Sequence, residues 1–159
     1  MNDNGMMLAP ELDVAEWLNT SESPTLQSLR GKVVALHAFQ MLCPGCVLHG
    51  VPQAQKLHDY FPRDQVAVLG LHTVFEHHAA MQAESLRAFL HEFRVRFPVG
   101  IDRPSADSPI PMTMQRYAMQ GTPTLVLIDR KGRLREQWFG QVEDLAVGAR
   151  IAGLLAEAG

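Results

Sequence analysis

Three short apolar runs decide most of what this chain can fold into. "KVVALHAF" (residues 32–39), "QVAVLGLHTVF" (65–75) and "GTPTLVLID" (121–129) are rich in β-branched and aliphatic side chains. Runs of this length and composition read as strands buried on both faces. Helical patterns separate them. From Pro44 onward, Val47, Leu48, Val51, Ala54, Leu57 and Phe61 recur at roughly helical spacing, with Pro52 interrupting. Over residues 79–95, Leu86, Phe89, Leu90 and Phe93 form an apolar stripe, the mark of an amphipathic helix. "FPVGID" predicts a short extended piece, "SADSPIPM" a loop and "TMQRYAMQ" a short helix; "RKG" turns the chain into a hairpin arm over 133–140, and 142–159 form a terminal helix.

Buried strands alternating with helices specify an α/β fold with a largely parallel sheet. The late hairpin makes that sheet mixed. The 159 residues, 47% of them hydrophobic, can bury a core without staples. We expect one domain over 1–159, with 1–20 as a loosely structured N-terminal extension. A net charge of -3 offers no basic stripe for nucleic acid. No apolar run approaches the roughly 20 residues that span a bilayer. The N-terminus carries acids where a secretory signal needs a basic and then an apolar region. A full-length chain of this kind is expected in the cytoplasm; a trimmed one is equally compatible with the periplasm.

Only two cysteines occur, in "HAFQMLCPGCVLHG" (residues 37–50), just after the first apolar run. A C-x-x-C at a strand-to-helix junction in a βαβ pattern reads as a redox site. A helix N-terminus presents unpaired N–H groups and positive dipole, which stabilise a thiolate at the entry position. Cys43 is therefore the candidate nucleophile. Cys46, one turn further in, is the candidate resolving thiol that attacks the mixed disulfide. Pro44 suits the first helical turn, where its absent N–H is not missed, and Gly45 adds little bulk between the sulfurs. Two rivals stand beside this reading. Cys43, Cys46 and His49 have metal-like spacing, but a closed zinc site wants four ligands and no second C-x-x-C exists. Haem attachment needs His directly after the second cysteine, where Val47 stands. We expect neither a metal nor another cofactor.

"VVALHAFQMLCPGC" resembles the active-site segment of thioredoxin-fold oxidoreductases, and "GTPTLVLIDRKGRLREQWFG" resembles their cis-proline segment. The likeness is greatest to the TlpA-like and AhpC/TSA-like redoxin branch and covers roughly residues 20–158. The resemblance implies a thioredoxin-like fold: a central mixed sheet flanked by helices, with an N-terminal extension and an inserted strand-helix segment within 65–110. It also implies that Pro123 is cis and faces the cysteines, that Thr122 offers its backbone to a bound peptide, and that Pro44 and Gly45 border the substrate. The partners it implies are a disulfide-containing protein or small thiol, and an electron donor the sequence does not identify.

Departures from that pattern are specific. Leu42 stands where thioredoxin has an aromatic before the first cysteine. His37 replaces the buried acid six residues before it; a histidine there is either a proton relay titrating nearer neutrality or a hydrogen-bonded core residue. Pro52 follows Cys46 by six residues where five is usual, which predicts an altered, π-type turn. The peroxiredoxin signature is not matched: its Thr position holds Gln40 and its Pro position Leu36. Peroxidase activity stays an alternative, because a low-pKa exposed thiolate also reacts with peroxide. A non-catalytic binding or metal-holding module is a further one. "GLHTVFEHHAAM" (70–81) follows the second strand at the carboxyl end of the sheet, where ligands gather in α/β folds. His72, Phe75 or Glu76 could line the substrate face there; the other reading is a solvated loop.

Overall fold

The computed structural model describes residues 5–159. Among them the strands are β1 (Val14–Leu18), β2 (Val33–Phe39), β3 (Val66–His72), β4 (Val99–Asp102), β5 (Thr124–Ile128) and β6 (Leu134–Phe139). The helices are α1 (Val51–Tyr60), α2 (Ala83–Glu92), α3 (Met112–Arg116) and α4 (Asp144–Ala156). One sheet runs β1-β4-β3-β2-β5-β6. β2 pairs parallel with β3, and β3 with β4; β5, β6 and β1 join antiparallel. This is the mixed sheet the resemblance implies, with α2 and β4 as the inserted segment.

Alternation along β2 sorts the core into two layers, since successive strand residues face opposite sides. Val33, Ala35 and Phe39 pack with Ala54 and Leu57 of α1, Leu86 and Leu90 of α2, and Ile151 and Leu154 of α4. Val34, Leu36 and Ala38 pack with Leu26, Met114 and Tyr117 on the other side. Every residue of β2 is buried, which is why its sequence lacks polar alternation. His37 falls by parity on the α1 face. The residues after β2 emerge at its carboxyl end, between β3 and β5.

Three expectations change. The segment 1–20 is not loose over Val14–Leu18, which forms the edge strand β1 against β4. An edge strand with one face exposed shows a weak apolar pattern, and only Leu18 of β1 is fully buried. Residues 1–4 of that extension lie outside the described residues. The helix expected over 79–95 is confined to α2, because Ala79 and Ala80 belong to a short 3-10 turn and Arg94 takes φ 53°. Phe93 therefore leaves the core stripe, is 56% exposed, and stacks on Phe89 instead. The second apolar run pairs only as far as His72, after which the Thr73 N–H crosses to Phe39 O.

The turn predicted from the extra residue before Pro52 is a π-helical turn over Cys46–Gly50, closed by Val51 N–H donating to Cys46 O. Pro52 has no N–H, and in a regular α-helix its ring would meet the carbonyl four residues back. The wider turn absorbs both before α1 begins.

Candidate active site

Cys43 leaves β2 through a tight turn in which its N–H donates to Gln40 O at 3.0 Å. Its carbonyl then accepts Val47 N–H at 3.0 Å, starting the helical turn. The Cys46 N–H donates to Cys43 Sγ at 3.3 Å, and the Cys46 thiol donates to the same sulfur with the two Sγ atoms 2.7 Å apart. Both cysteines are free thiols. They are not equivalent. Cys43 is partly exposed, whereas Cys46 is wholly buried. Burial, and then the bond to Cys43, push the Cys46 thiol up to about 12. The outer sulfur thus receives two hydrogen bonds from Cys46 and donates its own thiol to Thr122 O, while burial holds the proton on the inner one.

The Thr122–Pro123 bond is cis. Cys43 Sγ lies 3.6 Å from Thr122 O. Pro123 fits against two glycines. A Cβ on Gly45 would stand 3.3 Å from its Cδ, and one on Gly50 would stand 3.2 Å from its Cβ. Gly45 therefore does more than separate the sulfurs: it lets the helix start approach the proline loop. Gly50 has the same function at the far end of the π turn. Sequence reasoning missed Gly50, although the odd spacing to Pro52 marked the place. Pro44, Leu42 and Leu48 are exposed around the pair.

His37 lies beneath this assembly. Its Nε2 is buried and has no hydrogen-bond partner among the described residues, and its Nδ1 lies 3.9 Å from where a Gly50 Cβ would sit. Burial lowers its pKa to about 4. Burial thus holds the ring neutral at pH 7. It borders a cavity of about 180 Å³ shared with Gly50, Pro123, Gln53, Lys56 and Asp144. At the cavity rim Lys56 pairs with Asp144 at 2.9 Å, and Gln53 holds Asp144 Oδ1 and Val142 O.

The histidine-rich segment divides. His72 is buried, and its Nε2 accepts Met41 N–H at 3.2 Å. Phe75 N–H donates to Gln40 Oε1 at 3.2 Å, so Gln40 is occupied as a staple. Glu76, His77 and His78 are exposed. His49, the third residue of the metal-like spacing, is exposed on the π turn. Among the described residues no group of three or more His, Cys, Asp or Glu is gathered as a metal set would be. No helix among them is long and apolar enough to cross a membrane.

A buried strand, a C-x-x-C at the start of a helix and a cis-proline loop over the sulfurs define a thioredoxin-fold redoxin. Residues 8–137 match the AhpC/TSA family model. The chain belongs to the AhpC/TSA family, and its fold is thioredoxin-like. It is similar to the crystal structure of SPOA0173, a thioredoxin-like superfamily protein, at 58% identity and TM-score 0.94, over 98% of this chain and 99% of that one. It is similar to a thiol-disulfide isomerase from Corynebacterium glutamicum at 49% identity and TM-score 0.92, over 99% and 100%. Among curated proteins, NHL repeat-containing protein 2 of Gallus gallus is 29% identical over 85% of this chain and 18% of its own length. Protein DipZ of Mycobacterium bovis is 27% identical over 94% and 21%. The chain thus spans about a fifth of the length of these curated relatives.

Proposed function

We propose that the chain exchanges dithiols for disulfides, with Cys43 as nucleophile and Cys46 as resolving thiol. The asymmetry of the pair carries this reading: one sulfur is reachable and accepts two hydrogen bonds, the other is buried and protonated. The Cys43 thiolate attacks one sulfur of a substrate disulfide; the second substrate sulfur leaves as a thiolate and takes a proton. Cys46 then loses its proton and attacks Cys43 Sγ, releasing the remaining substrate thiol. Two electrons and two protons pass to the substrate, and Cys43–Cys46 becomes a disulfide. The reverse sequence oxidises a dithiol substrate.

Buried and pushed up to about 12, Cys46 needs a route for its proton. We assign that route to His37 and the cavity beside it. A neutral imidazole has one N–H and one lone pair, and can pass a proton on without keeping the charge. Thr122 presents backbone beside Cys43, and Pro44 and Gly45 flank the approach. The likeness to a thiol-disulfide isomerase favours a protein disulfide as substrate. The electron donor would be a separate thiol protein or small thiol.

Reduction of insulin disulfides with dithiothreitol as donor tests the reading. Cys43→Ser is expected to abolish turnover, and Cys46→Ser to accumulate a mixed disulfide on Cys43, visible by mass. Turnover that is independent of both cysteines would sink it. The potential against glutathione sets the direction: roughly −270 mV indicates a reductant and roughly −120 mV an oxidant.

A further inference from the structure

The exchange reaction described above uses Cys43 but leaves open what aims it. We propose that His72 is a positioning residue for Cys43, its Nε2 serving as the fixed acceptor that sets the turn carrying the nucleophile. This rests on Cys43 being the attacking thiol.

His72 is on β3, not on the strand–helix unit that bears the cysteines. It stands opposite Phe39, the last residue of β2, and the two rings lie 5.2 Å apart. β2 ends there, and the chain must reverse within Gln40–Cys43. Three bonds from the end of β3 hold that reversal. Thr73 N–H donates to Phe39 O at 3.1 Å, Phe75 N–H donates to Gln40 Oε1 at 3.2 Å, and His72 Nε2 accepts Met41 N–H at 3.2 Å. The first anchors the chain before the turn, and the second holds the side chain of its first residue. Only the third grips a backbone group inside it, two residues from Cys43.

Accepting at Nε2 requires a neutral ring with its proton on Nδ1. Burial keeps the ring neutral, with a pKa near 4. A neutral ring adds no charge to the site, so its influence on Cys43 is geometric. The turn in turn aims Cys43 Sγ between Cys46 N–H and Thr122 O. In-line attack on a disulfide is sensitive to such aim.

The test compares His72→Leu with His72→Gln. Leucine keeps the bulk and offers no acceptor; glutamine keeps an acceptor oxygen. Alanine is unsuitable, because His72 borders a cavity of about 350 Å³ from which water could reach Met41 N–H. Alkylation of reduced protein by iodoacetamide, with peptide mapping, reads Cys43 directly. Reduction of glutathione disulfide reads its attack. Relative to wild type, His72→Leu is expected to slow both by about tenfold, and His72→Gln to recover most of that loss. A folded His72→Leu protein with Cys43 as reactive as in wild type overturns the proposal. Should that variant fail to fold, ¹⁵N spectra of the wild-type histidines decide: the proposal requires the Nδ1–H tautomer at His72, and the Nε2–H tautomer overturns it. If Cys46 alkylates first in wild type, the reading of Cys43 as nucleophile fails, whatever His72 does.

Discussion

Two histidines are buried on neighbouring central strands, and both have pKa values near 4, yet they are built into the molecule in opposite ways. His37 on β2 borders a cavity with a polar rim, and its buried Nε2 has no hydrogen-bond partner among the described residues. His72 on β3 spends its Nε2 on the backbone of the active-site turn. Burial alone makes both neutral. What differs is the partner: His72 Nε2 accepts the Met41 N–H, and His37 Nε2 has no partner among the described residues, which is the contrast behind the two proposed roles. The comparison teaches that a buried imidazole is not one kind of feature. Its hydrogen bonds decide what it does.

The largest expected effect is one the two histidines share. In the folded state their pKa values are about 4, against 6.5 ordinarily. Between those values the unfolded chain binds protons that the folded chain does not, so falling pH favours unfolding. This stabilising contribution is fully present above about 6.5 and is lost as pH falls towards 4. At about 1.4 kcal/mol per tenfold, each histidine contributes roughly 3 kcal/mol. Asp102, raised by burial, opposes part of this at the acid end. Unfolding free energies from urea titrations at pH 7 and pH 4 should differ by several kcal/mol, lower at pH 4. A flat profile would mean that neither ring is buried neutral.

Single substitutions should then separate the pair by sign. His72→Leu strands the Met41 N–H and should cost about 2 kcal/mol. His37→Leu removes an orphaned polar atom from an apolar layer and should be neutral or mildly stabilising, while slowing release of the mixed disulfide by Cys46. Urea unfolding at pH 7 and single-turnover mass analysis read the two effects. Equal destabilisation by both would erase the contrast. A smaller effect is expected from Gly50→Ala. Its methyl meets Pro123 Cβ at 3.2 Å, offsetting the up to about 1 kcal/mol that alanine normally gains over glycine in a helix. Stability should change little, and insulin reduction should slow because the proline loop must shift.

Much of this was legible in the sequence. The three apolar runs became β2, β3 and β5, because strands buried on both faces announce themselves by composition. The C-x-x-C was legible from local spacing, whereas the cis-proline and the π turn were expected only through the resemblance to thioredoxin-fold oxidoreductases, which says where those features fall. β1 was missed because an edge strand needs little apolar pattern. The division of labour between His37 and His72 was out of reach for a different reason. Met41 and His72 are far apart in sequence and meet only through β2–β3 register. Nor does sequence show that Gln40 is a staple or that Gly50 admits Pro123; both are contacts across the sheet top.

The smallest expected effect lies at the mouth of the His37 cavity. Lys56 and Asp144 pair there at 2.9 Å with side chains 69% and 53% exposed. An ion pair so open to water is worth about 0–1 kcal/mol and weakens with salt. Asp144 also keeps its bond from Gln53 when the lysine is lost. Lys56→Met should therefore change stability by no more than about 0.5 kcal/mol, with the difference vanishing in 1 M salt. It should also leave the rate of Cys43 alkylation untouched, because the rim lies on the His37 side and not on the His72 side. A loss well above 1 kcal/mol would mean that the pair seals the cavity as a structural element. His37 would then be a closed-in core residue, and its assignment as an exchanging group would fall with it.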